Sequence, residues 1–157
     1  MTKTFACAAV LAGLAFGAAT GSPALAADHQ VKMLNRGAAG MMVFEPAFLA
    51  IQPGDTVTFL VADAGHNAEA IPGMLPEGVE PFAGTMNKEI TVTFAAEGLY
   101  GYKCKPHYAM GMVGLIQVGD EAPNAAAAAK VKHPGKAGKV MAGLFGEAGN
   151  AVATLPK

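Results

Sequence analysis

Apolar and polar residues alternate along the middle of the chain in short runs that glycine and proline interrupt. Segments 56–61 and 89–94 carry a valine, isoleucine or phenylalanine at every second position, which is the period of a strand with one buried face. Strands at this spacing with Gly/Pro turns between them predict a β-sandwich or barrel. The predicted strands are 31–34, 56–61, 89–94, 98–104 and 113–118, with 41–51 as a bent or edge segment because it contains Pro46.

The C-terminal part of the chain has a different pattern. Residues 121–157 are rich in alanine and lysine, and 125–129 predict a helix that ends before Pro134. From Lys136 onward, apolar residues recur at helical spacing and form one stripe, comprising Val140, Met141, Leu144, Phe145 and Ala148. An apolar stripe needs a buried surface, so we expect this helix to pack on one face of the sandwich; a disordered tail is the alternative.

The first residues predict an export signal. Lys3 precedes an apolar run over 5–19, and Ala24-Leu25-Ala26 is a small-x-small cleavage motif. The run is too short to span about 30 Å of hydrocarbon, which argues against a membrane anchor. We therefore predict a signal peptide over 1–26, cut after Ala26 or Ala27, a sandwich over 27–119, and a helical extension of the same domain over 120–157.

Composition narrows the class of protein. The chain after Ala26 has 131 residues, with ten basic and twelve acidic side chains, so its charge does not favour nucleic acid. It keeps one cysteine, Cys104, and can form no internal disulfide. A lone thiol in an exported protein is unusual, because exposure would leave it open to oxidation. A bound metal would protect it.

The stretch Tyr-Lys-Cys-Lys-Pro-His-Tyr-Ala-Met-Gly-Met, at 102–112, gathers the candidate chemistry. Cys104 and His107 could be a nucleophile with its base, but enzymes of that type take the two residues from separate segments and orient them with a third group. They could also be a buried thiol and a surface histidine in a chain where methionine fills the core. The third interpretation is a copper site.

Copper accounts for the residue types at this spacing. A thiolate, two imidazoles and a weak thioether are the ligands of electron-transfer copper, whereas zinc gains little from thioether sulfur. A second histidine is required, and His66 lies just after a predicted strand, while His29 and His133 are expected to be solvent-exposed. The spacing alone does not choose between Met110 and Met112.

These residues resemble a known family. Gly65-His66-Asn67 after one strand, with Cys-x-x-His-x-x-x-x-Met on a late loop, is similar to the small blue copper proteins, the cupredoxins. Five segments are similar to the pseudoazurins in particular: 33–35, 44–48, 53–59, 74–78 and 103–112. The resemblance spans the whole chain after the signal. It implies a mainly β, cupredoxin-like Greek-key sandwich with a C-terminal pair of α-helices.

The resemblance also implies roles for individual residues. Pseudoazurins take the axial thioether from the second methionine of Met-x-Met, so the predicted ligands of one type 1 copper ion are His66, Cys104, His107 and Met112. Around them, Asn67 is expected to clamp the two ligand loops and to donate toward the sulfur, Met42 to pack beside His107, and Pro106 to withhold an N–H from the sulfur.

The resulting prediction is a soluble, monomeric periplasmic protein that carries single electrons. Its copper ion is expected to cycle between Cu(I) and Cu(II), and electrons are expected to pass at His107. The protein is not an enzyme, because the His-x-His and His-Cys-His patterns of multicopper oxidases are absent. There are two alternatives: a protein that delivers copper in the periplasm, and a structural module that binds no metal.

The predicted partner is copper nitrite reductase, in denitrification, or another periplasmic reductase or dehydrogenase. Docking is expected on an apolar surface of Met42, Pro106 and Met110. The basic residues expected around this surface are Lys103, Lys105, Lys32, Arg36, Lys88, Lys132 and Lys136. One departure is Ala64, before Gly-His-Asn, where many pseudoazurins have lysine.

Overall fold

The structure is a computed structural model, and it describes residues 25–153. The predicted signal peptide therefore falls almost wholly outside the described residues, and so does the end of the predicted helical extension, 154–157.

Within the described residues, eight strands form two four-stranded sheets. Their bounds are β1 Asp28–Gly37, β2 Gly40–Glu45, β3 Phe48–Ile51, β4 Thr56–Val61, β5 Glu69–Ala70, β6 Ile90–Thr93, β7 Gly98–Lys103 and β8 Val113–Val118. One sheet has the order β2-β1-β4-β6 and the other the order β3-β8-β7-β5. The predicted mainly β sandwich is confirmed, and strands 56–61 and 113–118 have the predicted bounds.

The first strand differs from the prediction, whereas segment 41–51 is bent and forms two edge strands, as predicted. The first strand is longer than 31–34 because β1 pairs on both sides, antiparallel with β2 and parallel with β4; backbone hydrogen bonding extends it over polar residues. Segment 41–51 is two strands in different sheets, and the chain crosses between the sheets at Pro46, which cannot donate to a strand ladder.

Aromatic side chains fill the space between the sheets. Phe44, Phe59 and Tyr102 are at most 2% exposed, and the Tyr102 ring meets the other two edge-to-face, at centroid distances of 4.8 and 5.0 Å. Burying each such side chain is worth roughly 1.5–3 kcal/mol. Gly114 leaves the room for Tyr102, because a Cβ there would overlap the Tyr102 ring.

The tail forms two helices, α1 Ala125–Ala128 and α2 Ala137–Ala153. Met141, Leu144 and Ala148 of the predicted stripe are buried in a second apolar cluster, together with Leu115 of β8. The predicted packing of the tail on one face of the sandwich is confirmed. Over residues 25–153, no helix combines the length and the apolar character that crossing a membrane requires.

At the end of the sandwich opposite loop 104–112, Asp55 collects three donors. Its carboxylate accepts the N–H of Ala27 at 2.8 Å and of Gln52 at 3.0 Å, and the Nε2 atom of His29 lies 2.8 Å away. These bonds, with the one to His29 the largest contribution, lower the pKa of Asp55 to about 2. The N-terminal strand is thereby tied to the turn before β4.

Replacing Asp55 with asparagine is expected to destabilise the copper-free protein by about 1–2 kcal/mol at pH 7, since hydrogen bonds to a charged group are lost. Because the folded-state pKa lies below the usual 3.8, this stabilisation is present above pH 4 and is lost as the pH falls towards 2. Urea unfolding at pH 7 and at pH 2.5 measures the difference. Asp120→Asn, at an exposed carboxylate, is the control, and a deficit of Asp55→Asn that is equal at both pH values would contradict the account.

Candidate metal centre

Three side chains from two loops meet at one end of the sandwich. His66 follows β4, and Cys104 and His107 follow β7. The Cys104 sulfur lies 3.7 Å from Nδ1 of His66 and 3.5 Å from Nδ1 of His107, and the two Nδ1 atoms are 3.1 Å apart. Among the described residues, these three form the one group of His, Cys, Asp or Glu ligand atoms close enough to share an ion.

The three residues differ in exposure. His66 and Cys104 are fully buried, whereas His107 is half-buried. A substrate therefore cannot reach the Cys104 sulfur, which argues against a thiol nucleophile. The site has one edge toward solvent, and that edge is the imidazole of His107.

A hydrogen-bonded pair of polar residues orients His66. Its Nε2 atom lies 3.0 Å from Oδ1 of Asn35, and the Asn35 N–H donates to Asp63 at 2.7 Å. Since an amide oxygen only accepts, Nε2 carries the proton and the Nδ1 lone pair points to the other ligands. Burial, and then the electrostatic effect of His107, lower the pKa of His66 and so favour its neutral form. Sequence reasoning missed Asn35, although segment 33–35 is one of those similar to the pseudoazurins.

Asn67 joins the two ligand loops. Its Oδ1 atom accepts the N–H of Lys105 at 2.8 Å, and its amide nitrogen donates to Glu69 and to the Gly84 carbonyl, at 3.1 and 3.2 Å. All the side-chain atoms that can bond are therefore engaged. This fixes the spacing between the loop of His66 and the loop of Cys104.

The backbone N–H groups of Asn67 and His107 favour the thiolate form of Cys104. Burial raises the pKa of the Cys104 thiol, and these two groups oppose the rise. Pro106, which is exposed, has no N–H to add a third. A positive ion beside the buried Cys104 sulfur would stabilise its thiolate form.

The two candidate thioethers have opposite environments. Met110 is 48% exposed in the 3₁₀ turn Tyr108–Met110, whereas Met112 is fully buried in the apolar cluster that contains Cys104. The backbone ties Met112 to both neighbours, because its carbonyl accepts the Cys104 N–H at 3.0 Å and its N–H donates to the His107 carbonyl at 3.2 Å. Met42 is half-buried against the same cluster.

This combination of donors is selective. Two imidazole nitrogens, one thiolate and a nearby buried thioether suit copper in both oxidation states. Zinc prefers four strong tetrahedral donors, and within residues 25–153 no carboxylate joins the group. The residues present therefore fit a copper ion.

Comparison with known proteins agrees with this chemistry. Residues 31–119 match the model of the copper-binding proteins of the plastocyanin/azurin family. The pseudoazurin of Paracoccus pantotrophus is 52% identical over 123 residues, which are 78% of this chain and 85% of that protein. The pseudoazurin of Methylorubrum extorquens is 48% identical over 136 residues, 87% of this chain and 92% of that one. This chain belongs to the pseudoazurin family.

The fold supports the same assignment. The crystal structure of pseudoazurin from Methylobacterium extorquens AM1 matches with a TM-score of 0.75 at 48% identity, covering 76% of this chain and 98% of that one. Pseudoazurins are copper proteins that carry electrons and are not enzymes, so the predicted cofactor and the predicted absence of catalysis are confirmed.

The predicted basic residues have unequal surroundings. Lys103 is only 20% exposed, since its ammonium lies 3.4 Å from Glu69 and 4.8 Å from the centre of the Tyr108 ring. Six others are exposed and, among the described residues, have no carboxylate within 4 Å: Lys32, Arg36, Lys88, Lys105, Lys132 and Lys136. Ala64 is exposed as well.

The expectation that His29 and His133 are solvent-exposed is wrong for both. The His29 side chain is 28% exposed and bonds to Asp55, and His133 is half-buried with its Nδ1 atom 2.6 Å from the Tyr108 hydroxyl. Tertiary contacts from distant segments cover both rings. Neither belongs to the metal-binding group.

Proposed function

We propose that this chain is a periplasmic one-electron carrier whose copper ion is held by His66, Cys104, His107 and Met112. The observation that carries the proposal is the convergence of two histidine nitrogens on the Cys104 sulfur, in a pocket that also buries Met112. Copper in such a ligand set supplies one-electron oxidation and reduction. No bond chemistry is required of the protein.

The residues around the ligands keep the geometry fixed. Asn35 orients His66, and Asn67 holds the two loops together. A carrier gains speed when its ligands do not rearrange, because rearrangement adds to the barrier. Delivery of copper would instead require an accessible and exchangeable site, and the full burial of Cys104 and His66 does not favour it.

Electrons are proposed to pass through His107, the half-buried ligand, with the exposed Pro106 and Met110 beside it in the chain. Of the basic residues, Lys105 is the clearest candidate for docking, because it is exposed, has no described carboxylate as a partner and is next in sequence to Cys104. Rim charges of this kind raise the rate of encounter with an acidic partner. The proposed partner is copper nitrite reductase.

Stopped-flow oxidation of the reduced protein by copper nitrite reductase tests the partner. We expect a second-order rate constant that falls as ionic strength rises, and a decrease of several-fold for Lys105→Gln at low salt. Ala95→Glu, an equal change of net charge at the opposite end of the sandwich, is the control and should retain most of the rate. Equal losses for both variants, or no dependence on salt, would rule out docking at this face.

Pro106→Ala is expected to raise the reduction potential. The new N–H would lie on the ligand loop and could donate to the Cys104 sulfur, withdrawing charge that stabilises Cu(II). A preferential bond of about 1 kcal/mol corresponds to roughly 40 mV for one electron. Protein-film voltammetry measures the shift, and an unchanged potential would count against the proposed role of Pro106.

Export is part of the proposal. Cleavage after Ala26 would turn the backbone nitrogen of Ala27 into the N-terminal ammonium, 2.8 Å from the Asp55 carboxylate. That ammonium would gain a charge-assisted bond, which favours Ala26 over Ala27 as the last residue of the signal. Mass spectrometry of the protein from the periplasmic fraction should give a chain that begins at Ala27. Segments 27–119 and 120–157 are proposed to form one domain, and the protein is proposed to be a monomer.

A further inference from the structure

We propose that the segment His133–Lys136, between α1 and α2, positions the copper-ligand loop. In this proposal His133 and Gly135 are positioning residues, which hold the turn between His107 and Met112 and so fix the thioether relative to the other ligands. The inference rests on the proposed ligand set. It gives the C-terminal extension a role at the metal centre beyond covering the sheet.

The turn between the ligands has little support of its own. None of the residues in the 3₁₀ turn Tyr108–Met110 is buried, and Ala109 and Met110 are exposed. Gly111 ends the turn with φ +99°, and its N–H donates to the Tyr108 carbonyl at 3.0 Å. Two backbone bonds tie Met112 to Cys104 and His107, and contacts from elsewhere would add to them by holding the turn itself.

The tail supplies those contacts at two points. The Tyr108 hydroxyl is hydrogen-bonded to Nδ1 of His133 at 2.6 Å, so the residue directly after the ligand His107 is bonded to the tail. One residue later, the Ala109 carbonyl accepts the N–H of Lys136 at 2.9 Å. Together they form a two-point strap across the turn, made of one side-chain bond and one backbone bond.

Close packing makes this strap specific to the residues present. Gly135 has φ +54°, which favours glycine, and a Cβ there would overlap the Ala109 carbonyl oxygen. Val140 of α2 lies against Gly111, with its Cγ2 atom 3.2 Å from the place where a Cβ would stand. A side chain at either glycine would push the tail and the turn apart.

The strap is anchored in the core. Ala137 and Met141, at the start of α2, are at most 1% exposed and pack in the same cluster as Val113 and Leu115 of β8. Since β8 begins directly after Met112, the tail and the ligand share one rigid support. A displacement of the tail relative to the turn therefore reaches Met112, which is bonded to the His107 carbonyl.

Three variants test the strap, namely Tyr108→Phe, His133→Leu and Gly135→Ala, with the double variant of the first two. In copper-free protein we expect hydrogen exchange at the N–H of Lys136 and of Met112 to speed up about tenfold when the side-chain bond is lost. In copper-loaded protein we expect a changed ratio of the thiolate-to-copper absorption bands and a several-fold faster release of copper. Gly135→Ala should have the largest effect.

Lys139→Ala, at an exposed position of α2, is the control and should match the original protein. The double variant should equal the single ones, because both remove the same bond. The proposal is overturned if the variants speed up exchange or lower stability but leave the absorption ratio and the copper release unchanged, or if the two single effects add. Absence of thiolate absorption in the original protein would refute the ligand set instead, and the exchange measurement would still report on the strap.

Discussion

Cys104→Ser is expected to abolish the visible thiolate-to-copper absorption. Serine keeps the shape of the side chain but supplies no thiolate, and the sulfur is the atom on which both histidine nitrogens converge. Loss of a residue that merely orients a ligand costs about 10–100-fold in metal affinity, so loss of this ligand should cost more than about 100-fold. Absorption spectra and competition with a copper chelator measure the two effects.

The fold should survive this change. The main core has other large buried side chains, including Phe44, Phe59 and Tyr102, and the removal of sulfur leaves these contacts intact. Circular dichroism of the copper-free variant should therefore match the original. A variant that still gives an intense visible band with copper would show that Cys104 is not the thiolate ligand.

The second large effect separates the two methionines of the loop. Met112→Leu keeps the side-chain volume in the core but removes the thioether, and we expect it to change the absorption-band ratio and to raise the reduction potential. Met110→Leu is the matched control, since Met110 is 48% exposed and Met112 is fully buried. We expect the effect of Met112→Leu because a weak axial sulfur ligand tunes the reduction potential of such a copper site.

Spectra and voltammetry of both variants decide the assignment. Met110→Leu should leave the spectrum and the potential close to those of the original protein, although it can slow transfer to a partner. Met112→Ala is a less clean variant, because emptying a buried site costs about 2–5 kcal/mol in stability. Equal shifts for the two leucine variants, or a larger shift for Met110→Leu, would contradict Met112 as the axial ligand.

Local patterns made much of the fold predictable. Alternation between two turns defines 56–61 without reference to the rest of the chain, and the helical stripe around Met141 predicts a buried face. The extent of β1 was not predictable, because its last residues are polar and are held by backbone pairing with β2. The pattern of apolar residues indicates which side chains are buried, whereas the length of a strand also depends on the strand with which it pairs.

The candidate site also has parts that the sequence predicts and parts that it does not. Cys104 and His107 are three residues apart, so one loop brings them together. Asn35, in contrast, lies 31 residues from the His66 that it orients, and His133 lies 25 residues from Tyr108. Neither contact has a local signal, because the sheet order and the path of the tail create them. Lys103 likewise belonged to the expected basic ring, and only the fold places Glu69 beside its ammonium.

The central claim is that these residues hold one redox-active copper ion. Voltammetry of the purified protein, loaded with one equivalent of Cu(II), tests it most directly. We predict a single reversible one-electron couple, with one copper per chain and an intense visible band that disappears on reduction. A colourless protein under copper loading, or one without a reversible couple, would contradict the account.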